Sequence, residues 1–273
     1  YTLADFTWST HYPWLRGIVY NDTFEPRAVP NRSLVFWNLN RNGPDLGWLK
    51  HRIAEFRSHF FLITHLMDEI HLPPWLLDNP LVLKVFSANV PPALWNHSKV
   101  VALPWGIAAG RACFDVNAAR AASNHTKPEQ LFHVGNFAAF NKGPPLRMIR
   151  ARRWTGLLRA RGFDVRGMQT RLNKTEYLQL LMRHKFCLAP PRGGYDSFRV
   201  WEILYMGRVP VIGHYLPDAL LEGLPYMRVA WDSFGVPAMQ KQWQQLQSQY
   251  FNAQKMWMPY WIKKILLHCL MVS

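Results

Sequence analysis

The 273-residue sequence predicts an α/β fold built as two Rossmann-like halves, each a parallel sheet with helices on its faces. Three observations predict it. Short apolar runs alternate with helix-length segments along the chain, the signature of βαβ units. A polar, alanine-rich stretch from Ala112 to Pro128 interrupts that alternation once and reads as a domain linker. Hydrophobic residues make up 49% of the chain, enough to furnish two cores and too many for a disordered polymer.

In the first half, the apolar runs are Leu34–Trp37, Phe60–Ile63, Leu81–Phe86 and Lys99–Leu103. Pro, Asn or Asp bounds each of them, as expected of buried parallel strands. Between the first two lies Asp45–Arg57, where Leu46, Leu49, Ile53 and Phe56 recur at helical spacing. After the linker, strands are expected at Leu131–Val134, Phe163–Arg166, Lys185–Ala189, Val209–Ile212 and Tyr226–Trp231. Helices are expected at Pro144–Arg161, at Asn173–Arg183 with Asn173 or Thr175 as cap, and at Ser197–Met206. A long Gln- and Trp-rich helix is expected from Pro237 to near His268. Its stretch from Trp257 to Leu270 is basic and aromatic, a composition suited to a membrane surface. Its regular apolar spacing favours a helix bracing the body.

Thirty-two Lys and Arg against 17 Asp and Glu leave a formal charge of +15, which points to an anionic partner. Residues 142–208 hold fifteen Lys or Arg against Asp164, Glu176, Asp196 and Glu202, most of the whole excess. Charge of this kind also suits a nucleic-acid groove, but no helix-turn-helix, zinc-finger, RNP or KH pattern is present to place bases. No run of about 18 apolar residues is long enough to span a bilayer. Cys113, Cys187 and Cys269 have no metal-ligand spacing, and their odd number cannot pair completely within one chain. Asn-X-Ser/Thr sequons stand at Asn21, Asn31, Asn96, Asn124 and Asn173, where chance predicts about one. The excess points to the lumen of the secretory pathway. The chain opens on Tyr1 without a signal-peptide pattern, as a processed or trimmed product would.

The segment His184 to Ile212 carries the most chemistry. A buried strand ends in Pro190-Pro191-Arg192-Gly193-Gly194, and a helix opens at Asp196-Ser197. Gly193 and Gly194 let backbone approach a ligand closely, and the helix start offers unpaired N–H groups and positive dipole to an anion. Arg199 and Glu202 fall on one face, three residues apart. A guanidinium for a diphosphate and a carboxylate for vicinal ribose hydroxyls suit a nucleotide-sugar site. An internal Arg–Glu pair closing the helix is the plainer reading of the same spacing.

This segment resembles the nucleotide-sugar signature of exostosin-like glycosyltransferases. The matching elements are Phe186-Cys187-Leu188-Ala189-Pro190, Gly193-Gly194, Ser197-Phe198-Arg199-Val200-Trp201-Glu202 and Gly207-Arg208-Val209-Pro210-Val211. Shorter echoes follow the family's order: Thr64-His65-Leu66-Met67-Asp68-Glu69, Phe86-Ser87-Ala88-Asn89, Leu103-Pro104-Trp105-Gly106, and Val134-Gly135-Asn136-Phe137 with Asn141 and Arg147. The likeness covers about residues 59–231.

The resemblance implies a GT-B architecture, with an acceptor-side domain over 1–125, a nucleotide-sugar domain over 126–240 and a bracing helix over 241–273. It implies an inverting transferase that moves a sugar from a UDP-sugar to a glycan or glycoprotein, acidic acceptors included. The setting it implies is the Golgi lumen, with a type II membrane anchor outside this chain. Donor contacts fall to Lys142, Arg147, Arg192, Gly193, Gly194, Asp196, Ser197, Arg199 and Glu202, with Arg199 and Arg147 nearest the departing UDP. No Asp-x-Asp motif exists, so no metal or other cofactor is expected. The general base is sought among His65, Asp68, Glu69 and His71, after the apolar run 60–63, with Asp68 or Glu69 preferred. Leu66 stands where relatives carry Asn, which alters the acceptor side. Trp8, Trp14, Trp37, Trp75 and Trp105 are candidates for stacking on acceptor sugars, although most of thirteen Trp serve packing. The alternative is a nucleotide- or glycan-binding protein of the same fold without turnover.

Overall fold

The computed structural model describes residues 6–8, 25–38, 46–65, 72–107, 111–122, 127–135, 156–163, 172–191, 194–229 and 234–272. The chain divides into two compact units. Unit 1 comprises Tyr1–Pro104 and Trp257–Ser273, and unit 2 comprises Trp105–Met256. The division thus falls at Trp105 rather than near residue 125, and the C-terminal segment is shared between the two units.

Unit 1 contains β1 (Phe6–Trp8), β2 (Ser33–Asn38), α1 (Leu46–Ile53), β3 (Phe60–His65), the short α2 (Pro74–Leu77), β4 (Val82–Ser87) and β5 (Val100–Ala102). The five strands form one parallel sheet in the order β1-β2-β3-β4-β5. Register sets Phe6, Val35, Leu62, Val85 and Val100 in one row across it. The last four of these are buried with Leu49 and Ile53 of α1 and Leu76 and Leu77 of α2, forming one core. Trp37 is fully buried in that core, so it packs the sheet and cannot serve as a sugar platform. At the carboxyl ends of β3 and β4, Thr64 pairs with Ser87 and donates to its Oγ at 2.8 Å. Two short motifs distant in sequence therefore meet side by side.

Unit 2 contains α3 (Arg111–Ala122), β6 (Gln130–His133), α4 (residues 156–160), α5 (Lys174–Met182), β7 (His184–Leu188), α6 (Phe198–Tyr205), β8 (Val209–Ile212), α7 (Asp218–Leu221), β9 (Met227–Arg228) and α8 (Val236–Gln247). Its strands form a second parallel sheet in the order β6-β7-β8-β9. Helices cover both faces. Phe186, Leu188, Val209 and Val211 share a core with Leu158 of α4 and Met239 and Leu246 of α8. Cys187 points the other way, its Sγ 3.8 Å from the Leu181 carbonyl of α5. Pro210 is tolerated inside β8 because β9 begins its pairing only at Val211, so no ladder bond on that side needs its missing N–H.

Three expectations need correction. The segment Ala112–Pro128 is mostly the helix α3, and not a linker: alanine is the strongest helix former, and α3 packs on α5 and α6. The Tyr205 hydroxyl donates to Asn117 Oδ1 at 2.5 Å, and Arg120 lies 4.6 Å from the Tyr205 ring centre. The long C-terminal helix is broken into α8, a 3-10 turn (Ala253–Met256) and α9 (Met258–Met271). Asn252 starts the turn by accepting from Gln254 N–H, and Pro259 fits only the first turn of a new helix. Within each sheet the described strands follow chain order. Of the strand expected at Phe163–Arg166, Phe163 is a loop residue whose ring packs 4.9 Å from that of Phe132, and 164–166 lie outside the described residues.

Candidate functional site

The carboxyl edge of a parallel sheet is where open α/β folds bind ligands. In unit 2 that edge gathers the end of β6, the loop after β7, and the N-termini of α5 and α6. Helices that return between parallel strands run against them, so the starts of both α5 and α6 lie at this edge.

The two starts are built differently. Asn173 caps α5 fully: its Oδ1 accepts from Glu176 N–H and the Glu176 carboxylate accepts from Asn173 N–H, both at 2.9 Å. This reciprocal capping box satisfies two otherwise orphaned donors. At α6 the cap position is Ser197, extended at φ −146°, but its side chain makes no capping bond. The Ser197 hydroxyl is buried and has no hydrogen-bond partner among the described residues. A hydroxyl left so costs about 1–3 kcal/mol, and this one sits at the positive end of a helix.

Asp196 holds this open start in place. Its fully buried carboxylate accepts from Ser197 N–H at 2.7 Å, Trp105 N–H at 2.6 Å and the Trp201 indole N–H at 2.8 Å. The Trp105 and Phe198 rings pack 5.6 Å apart on the same bracket. Burial raises the Asp196 pKa to about 6, against the lowering effect of those three donors. Both oxygens are thus committed to the protein's own N–H groups. The expected donor contact of Asp196 gives way to a bracing role, because a buried carboxylate is held where it is by the donors that solvate it. Trp105 is likewise drawn into the fold.

Arg199 projects from the first turn of α6. Its Nη1 donates to the Gly135 carbonyl just past β6 at 2.8 Å, and its guanidinium lies 5.0 Å from the Tyr177 ring centre. Glu202, one turn on, is buried and forms a salt bridge with Lys174 of α5. Lys174 also lies 5.2 Å from the Tyr177 ring centre. The Tyr177 hydroxyl is buried without a hydrogen bond of standard geometry among the described residues. Burial drives its pKa upward, and the nearby Glu202 charge adds to this, so it remains a neutral donor. Two cations, one carboxylate, the Tyr177 hydroxyl beside that carboxylate and the unused Ser197 hydroxyl are therefore gathered where α5 and α6 begin.

Neighbouring groups are inert by comparison. Burial pushes the Cys187 thiol up to about 12, despite the opposing charges of Arg199 and Arg208, so it is no nucleophile. Tyr215 after β8 donates to the Ala189 carbonyl after β7, joining the two strand ends. Gly207 ends α6 at φ +70°, a conformation that favours glycine, and so turns the chain into β8.

Of the expected site residues, Gly194, Asp196, Ser197, Arg199 and Glu202 are described and lie on this one loop and helix. Lys142, Arg147, Arg192, Gly193, Asp68, Glu69 and His71 lie outside the described residues. His65 ends β3 at the carboxyl edge of the first sheet. Sequence reasoning missed Lys174 and Tyr177, because nothing in the 173–177 pattern points across to Glu202 or Arg199. The one available signal was the capping box, which predicts a helix start at that edge. Among the sequons, Asn31, Asn96 and Asn173 are exposed, while Asn21 and Asn124 lie outside the described residues. Compared with known families and with characterised proteins, the chain matches no family model and no characterised sequence.

Proposed function

We propose that unit 2 is the donor half of an inverting, metal-independent glycosyltransferase of the exostosin-like, GT-B type, taking a UDP-sugar. The observation that carries this reading is the open start of α6: a buried, unused Ser197 hydroxyl at a helix N-terminus, one residue before a Phe198-Arg199 step at the sheet's carboxyl edge. A diphosphate is the ligand whose charge matches the helix dipole and whose oxygens would accept from that hydroxyl.

In this reading the acceptor oxygen attacks the anomeric carbon from the face opposite the nucleotide. The bond from that carbon to the diphosphate oxygen breaks, and UDP leaves with the electron pair. Arg199, steadied by Gly135 and Tyr177, and the α6 N–H groups stabilise the developing charge. Glu202, paired with Lys174, receives ribose hydroxyls. The acceptor proton goes to a general base, for which Asp68 and Glu69 are the candidates. The acceptor is a glycan or glycoprotein of the secretory pathway, in keeping with the exposed sequons at Asn31, Asn96 and Asn173.

The test is UDP release across common UDP-sugars, with UDP affinity measured alongside. Wild type is expected to release UDP with one donor. Arg199→Ala is expected to weaken UDP binding at least about ten-fold, the loss of one charge-assisted contact. Asp68→Ala or Glu69→Ala is expected to spare binding and lower turnover. UDP binding without release from any donor would establish a binding protein instead. Absence of both would refute the nucleotide reading altogether.

A further inference from the structure

α9 is apolar nearly all round, yet among the described residues only one side of it is covered. Trp261 and Ile265 are buried against unit 1, where His268 meets the Phe86 ring at 6.0 Å. Arg32 closes the helix end by donating to the Cys269 carbonyl at 2.9 Å and to the Val272 carbonyl. The opposite side carries Leu266, Leu267 and Leu270 with Met271 beside them, and Leu270 and Met271 are 78% and 77% exposed. A helix apolar on both sides is normally buried on both, and an exposed apolar strip of this length marks a surface that something covers.

The charge around the strip identifies the occupant. Lys263 lies within it, sharing its face with Leu266, Leu267 and Leu270 at i+3, i+4 and i+7. Lys264 flanks it over the Trp261 ring at 5.2 Å, and burial, followed by the Lys264 and Lys84 charges, lowers the His268 pKa. From Trp257 to Ser273 the sequence has two lysines and no Asp or Glu. A second copy docking through this face would bring four lysines into one interface with no Asp or Glu on either helix to pair them, which like charge opposes. A bilayer bearing anionic headgroups offers both requirements at once: acyl chains for the leucines, and negative charge within reach of lysine stems that extend past them. Trp257, half-exposed at the helix start, is the residue type that settles at headgroup depth. Fourteen residues are too few to cross the hydrocarbon, which takes about 20, so the helix would lie in the interface plane.

We infer that the outer face of α9 is a docking surface for an anionic phospholipid membrane. It rests on unit 1 alone and stands whether or not unit 2 handles nucleotides. The test is co-sedimentation of the whole chain with vesicles of phosphatidylcholine alone, or of phosphatidylcholine with roughly 30% phosphatidylserine. Wild type is expected to sediment with the anionic vesicles and only weakly with the neutral ones. Leu267→Glu with Leu270→Glu is expected to lower binding at least about ten-fold. Lys263→Gln with Lys264→Gln is expected to lower it roughly 20-fold, at about five-fold per lysine, and raised salt should mimic this. Thermal melting of each variant separates lost docking from lost folding. If the leucine variant melts early, the lysine variant decides alone. The inference is overturned if wild type ignores anionic vesicles. It is also overturned if the leucine variant, folded, binds them as wild type does, since the overall +15 charge would then suffice. Self-association that the leucine variant abolishes, without vesicle binding, would assign the face to a second copy and overturn it too.

Discussion

Two helices begin side by side at the carboxyl edge of unit 2, and they treat their ends in opposite ways. α5 is closed by its own residues, Asn173 and Glu176 each bonding the other's backbone. α6 is left open, with Ser197 in the cap position and its hydroxyl unused. Same edge, same kind of element, and a cap-forming residue at both: the difference lies in what the side chain is asked to hold. A start that completes itself serves folding. A start that is braced from behind by Asp196, yet leaves its own hydroxyl idle, is the one the proposed function assigns to a ligand.

The largest effect should come from removing the brace. Asp196→Ala leaves Trp105 N–H, Ser197 N–H and the Trp201 indole without their acceptor in a buried place. We expect a loss of about 3 kcal/mol or more in urea unfolding of the whole chain. A change below about 1 kcal/mol would mean that α6 does not depend on this carboxylate.

The same group sets a pH signature. Its pKa is about 6 in the fold against 3.8 ordinarily, so the native state binds the extra proton between those values. Stability contributed by Asp196 is then present below about pH 4, declines as pH rises through 6, and is constant above. The whole swing is up to about 3 kcal/mol. Asp196→Asn cannot titrate, so the difference between wild type and this variant isolates the swing from other groups. A flat difference from pH 4 to 7 would remove the titration from this site.

The two caps give the sharpest contrast. Asn173→Ala should cost about 1 kcal/mol in stability and leave UDP affinity unchanged. Ser197→Ala should behave the opposite way. It removes a buried hydroxyl that bonds nothing, so stability holds or rises by up to about 1 kcal/mol, while UDP affinity falls several-fold. Equal responses from the two variants, in denaturation and in UDP titration, would erase the distinction between the two starts. The smallest effect expected is at Cys187: its thiol, pushed up to about 12, should resist alkylation in the folded chain at neutral pH.

Much of the fold was legible because its signals are local. β8 spans Val209–Ile212 as its apolar run indicates, and the Asn173 start of α5 is written in a four-residue capping pattern. The errors came where composition was read in place of propensity or a breaker was passed over. Ala112–Pro128 looked like a linker because it is polar and small, although alanine favours the helix that forms there. The run from Pro237 to His268 looked continuous because its apolar spacing outweighed Asn252 and Pro259, which divide it. On its inner side α9 packs against unit 1 through Trp261 and Ile265. Its outer apolar strip has the same spacing, and no periodicity distinguishes a face that meets protein from one that does not.

The candidate site divides along the same line. By itself the sequence determined that Gly194, Ser197, Arg199 and Glu202 share one loop and one helix at a strand's end, since a few residues of spacing decide that. Only the tertiary structure decided which of these groups remain available. Asp196 was drawn into the fold by Trp105 and Trp201, and Glu202 was paired with a lysine 28 residues away. Ser197 was buried with nothing to bond. Burial and partnership arise from chain segments meeting in space, so the residue types at a site can be read along the sequence, whereas their commitments depend on what packs against them.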